Sequence, residues 1–105
     1  MTEFGSMPDT EIAQGEIRRV LKEADKYWQS WFWWQYKYYQ DSTSSTSPPW
    51  EQSLYYPNGT TQEKKIFALS YPYAYAICGT PISQTYALNT YTLEFIPRVC
   101  GNKQT

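Results

Sequence analysis

The side chains able to do chemistry in this 105-residue chain are carboxylates and aromatic rings, because the sequence contains no histidine. Without histidine the chain cannot supply a Ser-His-Asp or Cys-His nucleophile system, and most zinc sites are excluded as well. The ten Asp and Glu residues are therefore the candidate nucleophiles, acids and bases. Aromatic residues are abundant, with five Trp, 11 Tyr and four Phe, and nine of them lie between Tyr27 and Tyr39.

Charge and cysteine content narrow the classes of partner. The formal net charge of −1 gives no electrostatic reason to expect nucleic acid or an anionic membrane surface. No apolar run reaches the ~18 residues of a membrane span, and the first 15 residues lack the basic start and apolar stretch of a signal peptide. Cys78 and Cys100 could form one disulfide if their Cα atoms lie within about 7 Å. Two free thiols fit equally well, so the cellular compartment stays open.

An amphipathic helix is the first element that could position these residues. Between Thr10 and Trp28, apolar residues recur mostly at spacings of three and four, which predicts one buried stripe on an α-helix. The stripe consists of Ile17, Val20, Leu21, Ala24 and Trp28. We expect Asp9 or Thr10 to cap its N-terminus.

Residues 30–36 follow as a β-prone run that is apolar on both parities of the alternation. This pattern indicates a strand covered on both faces, as in a parallel α/β sheet. Trp31 and Trp33 would then share one face, and Phe32 and Trp34 the other. A helix followed closely by such a strand implies a parallel partner before the helix, for which only residues 2–4 are available.

The second half of the chain changes in composition. Residues 41–62 are rich in Ser, Thr, Pro and Gly, which predicts a loop or linker at a domain boundary. Within it, residues 58–60 (NGT) fit a glycosylation sequon that only a secretory protein would use, while Asn-Gly is also an ordinary turn dipeptide. Residues 63–97 are β-type, with strands predicted at 66–69, 73–77 and 91–96 and turns at 79–81 and 87–90.

Two stretches of the chain resemble endoglycoceramidase-type enzymes of glycoside hydrolase family 5. Residues 2–5 (TEFG), the helix and residues 30–37 (SWFWWQYK) resemble the end of the catalytic barrel of these enzymes. Residues 69–81 (LSYPYAYAICGTP), followed by residues 91–95 (YTLEF), resemble the start of their C-terminal β-sandwich. The resemblance extends over nearly the whole chain, and the PYAxAxxGTP element is its most specific part.

The resemblance implies an α/β fold followed by an all-β one. Residues 1–41 would be the end of strand 7, helix 7 and strand 8 of a (β/α)₈ TIM barrel. Residues 42–62 would be a linker, and residues 63–105 part of an antiparallel β-sandwich. Because a full barrel needs ~250 residues, we expect the chain to be a C-terminal portion of a larger enzyme, in which Met1 need not be the biological start.

The resemblance also implies a nucleophile, Glu3 of the TEFG motif, at the end of barrel strand 7. Retaining glycosidases need a second carboxyl about 5–5.5 Å away as acid/base. In this family that group is a Glu on strand 4, a segment that the chain lacks. Asp41, Glu51 and Glu94 are better interpreted as surface carboxylates than as substitutes for it.

The substrate-binding residues implied by the resemblance are Trp34, Tyr36 and Lys37. Trp34 aligns with the Trp that floors the sugar site, where an indole face stacks on a pyranose. Tyr36 and Lys37 follow on the rim, within expected reach of sugar hydroxyls. No metal or organic cofactor is implied, and Cys78 stands where the family pattern has a small residue, without a disulfide role.

The predicted function is therefore hydrolysis of O-glycosyl bonds in glycolipids or oligosaccharides by the full-length enzyme. Ceramide and sterol both remain open as aglycone, and any membrane contact would be peripheral, through the substrate. The isolated chain is expected to be inactive. The alternative is a non-catalytic module that binds glycan or lipid through the β region and the aromatic strand.

Overall fold

The structure, a computed structural model, describes residues 3–39 and 48–98. In chain order it contains strand β1 (Phe4–Gly5), helix α1 (Glu11–Lys26), strand β2 (Trp33–Trp34), a 3-10 helix (Pro49–Gln52), helix α2 (Glu63–Leu69) and strands β3 (Thr80–Ala87) and β4 (Thr92–Arg98). The pair β1 and β2 forms a parallel sheet, and β3 and β4 form an antiparallel one. Among the described residues, no helix combines the length and apolar character needed to cross a bilayer.

Helix α1 confirms the helix predicted from spacing. The hydroxyl of Thr10 accepts a hydrogen bond from the backbone N–H of Ala13 at 3.1 Å, so Thr10 is the N-cap. Its buried positions are Ala13, Ile17, Leu21 and Ala24. Val20, predicted on the same stripe, is only half-buried, and Trp28 lies beyond the end of the helix, where it is exposed.

An aromatic layer covers the buried stripe of α1. Phe4 of β1 packs edge-on against Trp31 and Trp33, with ring centroids 6.0 and 5.3 Å apart. All three rings pack against the buried cluster of Ile17, Leu21 and Ala68. The parallel sheet therefore has one face on the helix, and the predicted partner strand before the helix is present as β1.

The other face of this sheet is uncovered in the described structure, so the prediction of a strand buried on both faces is wrong for this chain. Phe32 is 67% exposed and Trp34 is 45% exposed, whereas Trp31 and Trp33 are half-buried. The alternation is as predicted, but α1 packs on one side only. The strand itself is also shorter than predicted, because pairing with β1 involves only Trp33 and Trp34.

Residues 66–69, predicted as a strand, belong instead to helix α2, so that prediction is wrong. The physical reason is tertiary packing. Lys65 and Ala68 are three residues apart on α2, and both are buried. Ala68 joins the core formed by Ile17 and Leu21 of α1. A four-residue apolar run fits a strand and a buried helical turn equally well, and packing on α1 decides between them.

Lys65 is fully buried and ties three segments together. Its Nζ donates to the backbone carbonyl of Glu51 and to that of Ser53, the latter at 3.0 Å. Its backbone N–H donates to Oδ1 of Asp9 at 3.1 Å, and the hydroxyl of Tyr56 donates to the other oxygen of this carboxylate. Burial lowers the pKa of Lys65 to about 8.

The antiparallel hairpin confirms part of the predicted β region. Strand β4 occupies the predicted strand at 91–96, with Leu93 and Phe95 half-buried and Thr92 and Glu94 exposed, and the turn near residues 87–90 is present. The predicted turn at 79–81 is wrong, because β3 starts at Thr80 and pairs with β4 from there. The strand predicted at 73–77 is also wrong, since these residues form no ladder.

Polar and cation–π contacts join the hairpin to α1. The side-chain amide of Gln84 donates to Oδ1 of Asp25 at 3.0 Å. The guanidinium carbon of Arg18 lies 5.4 Å from the ring centroid of Tyr71 and 5.6 Å from that of Tyr86. Burial and a hydrogen bond to Asp25 raise the pKa of Tyr71 to about 12. The half-buried Arg18 and Asp25 of α1 therefore face the second half of the chain.

Two isoleucines of α1 test the importance of its buried stripe. Ile17 is fully buried, whereas Ile12 is 80% exposed. We expect Ile17→Ala to lower the free energy of unfolding by about 2–5 kcal/mol, because it leaves a cavity in the core. Ile12→Ala should change it by less than about 0.5 kcal/mol. Urea unfolding followed by circular dichroism measures both, and equal losses would contradict the assignment of the buried face.

The buried ammonium of Lys65 predicts a pH dependence of stability. The unfolded chain holds this proton up to about pH 10.4, whereas the folded chain releases it at about 8. Between these values the unfolded state binds more protons, so the stability contributed by Lys65 rises with pH, on the order of 1 kcal/mol per unit. The difference in unfolding free energy between the wild type and Lys65→Met should therefore grow in favour of the wild type from pH 8 to pH 10. A pH-independent difference would contradict the burial of a charged Lys65.

Candidate functional site

The candidate site lies on the uncovered face of the parallel sheet. Strand β1 begins one residue after Glu3, and Gly5 pairs in register with Trp34. Because Phe4 packs toward α1, strand alternation assigns Gly5 to the opposite face, which is also the face of Trp34. Glu3 and Trp34 are both exposed. Glu3 thus adjoins the start of β1, and Trp34 lies on the uncovered face of the sheet.

Gly5 allows the two strands of this sheet to approach closely. A Cβ atom built on Gly5 would overlap the carbonyl oxygen of Trp34 and come within 3.3 Å of its backbone nitrogen. No other residue type fits there without separating the strands. The peptide bond between Trp34 and Gln35 is cis.

A pair of tyrosines forms the rim next to Trp34. The hydroxyl of Tyr36 donates to that of Tyr55 at 3.3 Å, and the two rings meet edge to face with centroids 5.1 Å apart. The Nζ of Lys37 lies 5.6 Å from the centroid of the Tyr55 ring. The structure therefore groups the predicted Tyr36 and Lys37 around a third residue, Tyr55.

Tyr55 is absent from the sequence-predicted site because it comes from the segment interpreted as a linker. The segment runs beside the end of β2: the backbone N–H of Leu54 donates to the carbonyl of Tyr36 at 3.1 Å. The hydroxyl of Ser53 donates to the same carbonyl at 3.3 Å and accepts from the N–H of Tyr55 at 3.0 Å. Ser53 and Gln62 are buried. Nothing local in this Ser- and Pro-rich stretch signals such contacts.

The remaining candidate carboxylates lie on other elements. Glu51 is in the 3-10 helix, where its carbonyl accepts from Lys65, and Glu94 is exposed on β4 of the other sheet. Asp41 lies outside the described residues. Within residues 3–39 and 48–98, no three His, Cys, Asp or Glu side chains are grouped as ligands for a metal ion.

A second polar cluster lies between α1 and β3, beside a cavity of about 680 Å³. Its charged members are Arg18 and Asp25, which line this cavity together with Tyr71 and Gln84. However, Nε and Nη1 of Arg18 and Oδ2 of Asp25 are buried and have no hydrogen-bond partner in the described structure. Burial raises the pKa of Asp25.

Known proteins provide no template for this site. No protein-family model, curated protein or solved structure matches the chain. The side chains next to β1 and β2 offer one carboxylate, one indole, two phenols and an ammonium group. Stacking and hydrogen bonding of this kind suit a ligand with one apolar ring face and many hydroxyls.

Two glycines give a matched test of the close strand approach. Gly5→Ala should lower the free energy of unfolding by about 1–3 kcal/mol or more, because the added methyl group forces β1 away from Trp34. Gly15 lies inside α1 with open space around it. Gly15→Ala should instead stabilise the chain by ~1 kcal/mol through helix propensity. Thermal melts of both variants measure the effects, and a stabilising Gly5→Ala would contradict the strand pairing.

Proposed function

We propose that this chain is the C-terminal portion of a retaining β-glycosidase that hydrolyses O-glycosyl bonds of glycolipids. The observation that supports the proposal is the parallel pairing of β1 with β2, in which Gly5 pairs with the exposed Trp34 and the exposed Glu3 immediately precedes β1. Catalytic groups of barrel enzymes come from the ends of several parallel strands in this way. The family resemblance of residues 2–5 and 30–37 supports the same assignment.

In the proposed reaction Glu3 is the nucleophile. Its carboxylate attacks the anomeric carbon, the bond from that carbon to the aglycone oxygen breaks, and the departing oxygen takes a proton from a second carboxylic acid. That acid belongs to a segment of the enzyme outside this chain. Water, deprotonated by the same second group, then attacks the anomeric carbon and frees Glu3. No metal or organic cofactor enters either step.

The binding side chains in this proposal are Trp34, Tyr36 and Lys37. The exposed indole of Trp34 offers a flat face to the sugar ring. The hydroxyl of Tyr36 and the ammonium of Lys37 are polar groups at the rim and are able to bond sugar hydroxyls. The uncovered aromatic face also fits the proposal, because it would be turned toward the interior and cleft of a completed barrel. Either ceramide or sterol is compatible with this side of the site.

The proposal predicts that Glu3→Gln abolishes turnover in the full-length enzyme that carries this sequence. With a fluorogenic β-glucoside, kcat should fall by several orders of magnitude, because the glycosyl-enzyme cannot form. Glu94→Gln, an exposed glutamate on β4, is the matched control and should leave kcat and KM unchanged. A Glu3→Gln enzyme that melts like the wild type and retains its kcat would refute the assignment of the nucleophile.

The alternative function is a non-catalytic module that binds glycan or lipid. It is favoured by exposed aromatic rings in the β region, where Tyr73 is 61% and Tyr75 is 90% exposed. The purified 105-residue chain distinguishes the two. The glycosidase proposal predicts that this chain alone does not hydrolyse glycosides. It also predicts that Tyr75→Ala does not reduce binding of the chain to glycolipid-containing vesicles. Vesicle co-sedimentation that depends on Tyr75 would favour the binding module.

A further inference from the structure

We propose that Asn58 is an acceptor of an N-linked glycan. Residues 58–60 form the one N-x-S/T sequon in the sequence. They lie at the tip of a short turn whose residues 57–61 are all exposed. The proposal concerns a different surface from the glycosidase site and does not depend on the proposed function.

The turn holds the two polar side chains of the sequon in contact. The Oδ1 atom of Asn58 accepts from the hydroxyl of Thr60 at 2.7 Å and from the backbone N–H of Thr60 at 3.0 Å. Both hydrogen bonds polarise the carboxamide and orient it, while the Nδ2 atom is the group to be modified. Gly59 has a φ of +85°, a conformation that favours glycine and closes the turn.

The base of the turn is fixed, so the tip is presented away from the core. Tyr55 and Thr61 form an antiparallel bridge. The backbone N–H of Tyr56 donates to the carbonyl of Thr60 at 2.8 Å, and that of Gly59 donates to the carbonyl of Tyr56 at 2.9 Å. These contacts all lie within residues 55–61. A glycan at Asn58 would project from this tip and leave the buried contacts of Lys65 intact.

The reaction is transfer of an oligosaccharide from a polyprenyl-diphosphate donor. A bond forms between Nδ2 of Asn58 and the anomeric carbon of the first sugar, and the bond from that carbon to the diphosphate oxygen breaks. The polyprenyl diphosphate leaves, and Nδ2 gives up one proton to a base of the transferase. This chain contributes two things to the reaction, an accessible turn and the contact between Asn58 and Thr60.

The test is translation of the full chain, fused behind a cleavable signal sequence, in the presence of rough microsomes, which contain the donor. We expect a slower band on gel electrophoresis that peptide-N-glycosidase removes. Asn58→Gln and Thr60→Ala should each lose this band completely. Thr60→Ser, which keeps the hydroxyl, should retain it at a reduced level.

A second sequon in the same chain supplies the control. Tyr91→Ser creates one at Asn89 in the exposed turn between β3 and β4, and serine suits that position because Tyr91 has a φ of +51°. The control rests on the exposure of residues 89–91; in the double variant Asn58→Gln with Tyr91→Ser, a slower band demonstrates import and transferase activity. A wild-type chain that stays unmodified under conditions where this variant is modified would overturn the proposal. Because the readout is mobility rather than hydrolysis, that failure leaves the glycosidase proposal untouched.

Discussion

The packing of α1 on the aromatic layer is the interaction on which the rest of the structure depends. Strands β1 and β2 have two residues each, so their backbone hydrogen bonds alone cannot hold them parallel. Burial of apolar surface between Ile17, Leu21 and the rings of Phe4, Trp31 and Trp33 supplies the missing stabilisation. Because these rings fix one face of the sheet, they also determine that Gly5 and Trp34 are on the other.

Helix α1 also organises the second half of the chain. The buried Ala68 brings α2 onto the same core, and Asp25 on the opposite side holds the hairpin through Gln84. Just before the helix, Asp9 accepts from Lys65 and Tyr56. The segment that carries Tyr55 is therefore held against the end of β2 by the same helix that orients the sheet. The rim of the candidate site is a consequence of core packing.

Local patterns predicted α1, its N-cap and the face of each β2 ring, because these features depend on residues close in sequence. Strand β4 and its turn were predictable for the same reason. Helix α2 was not, because a four-residue apolar run has no period of its own and only contact with α1 makes it helical. The burial of Lys65 could not be inferred from residue type, since an ammonium group is buried only where two carbonyls from a distant segment meet it. Strand β3 was missed because many of its residues are polar and its pairing with β4 alone defines it.

The candidate site was predictable only in part. Motif resemblance gave four of its residues, namely Glu3, Trp34, Tyr36 and Lys37. Tyr55 could be found only from the three-dimensional path of the chain.

The central claim is the proposal that Glu3, which immediately precedes β1, is the nucleophile of a retaining glycosidase. It is tested most directly by treating the full-length enzyme with a 2-deoxy-2-fluoro-β-glucoside, which forms a glycosyl-enzyme that hydrolyses slowly. Proteolysis and fragment mass spectrometry then locate the attached sugar. We predict a single fluoroglucosyl group on Glu3 and none on Glu11 or Glu16 of the same tryptic peptide. An inactivated enzyme whose label lies on any other carboxylate would contradict the claim.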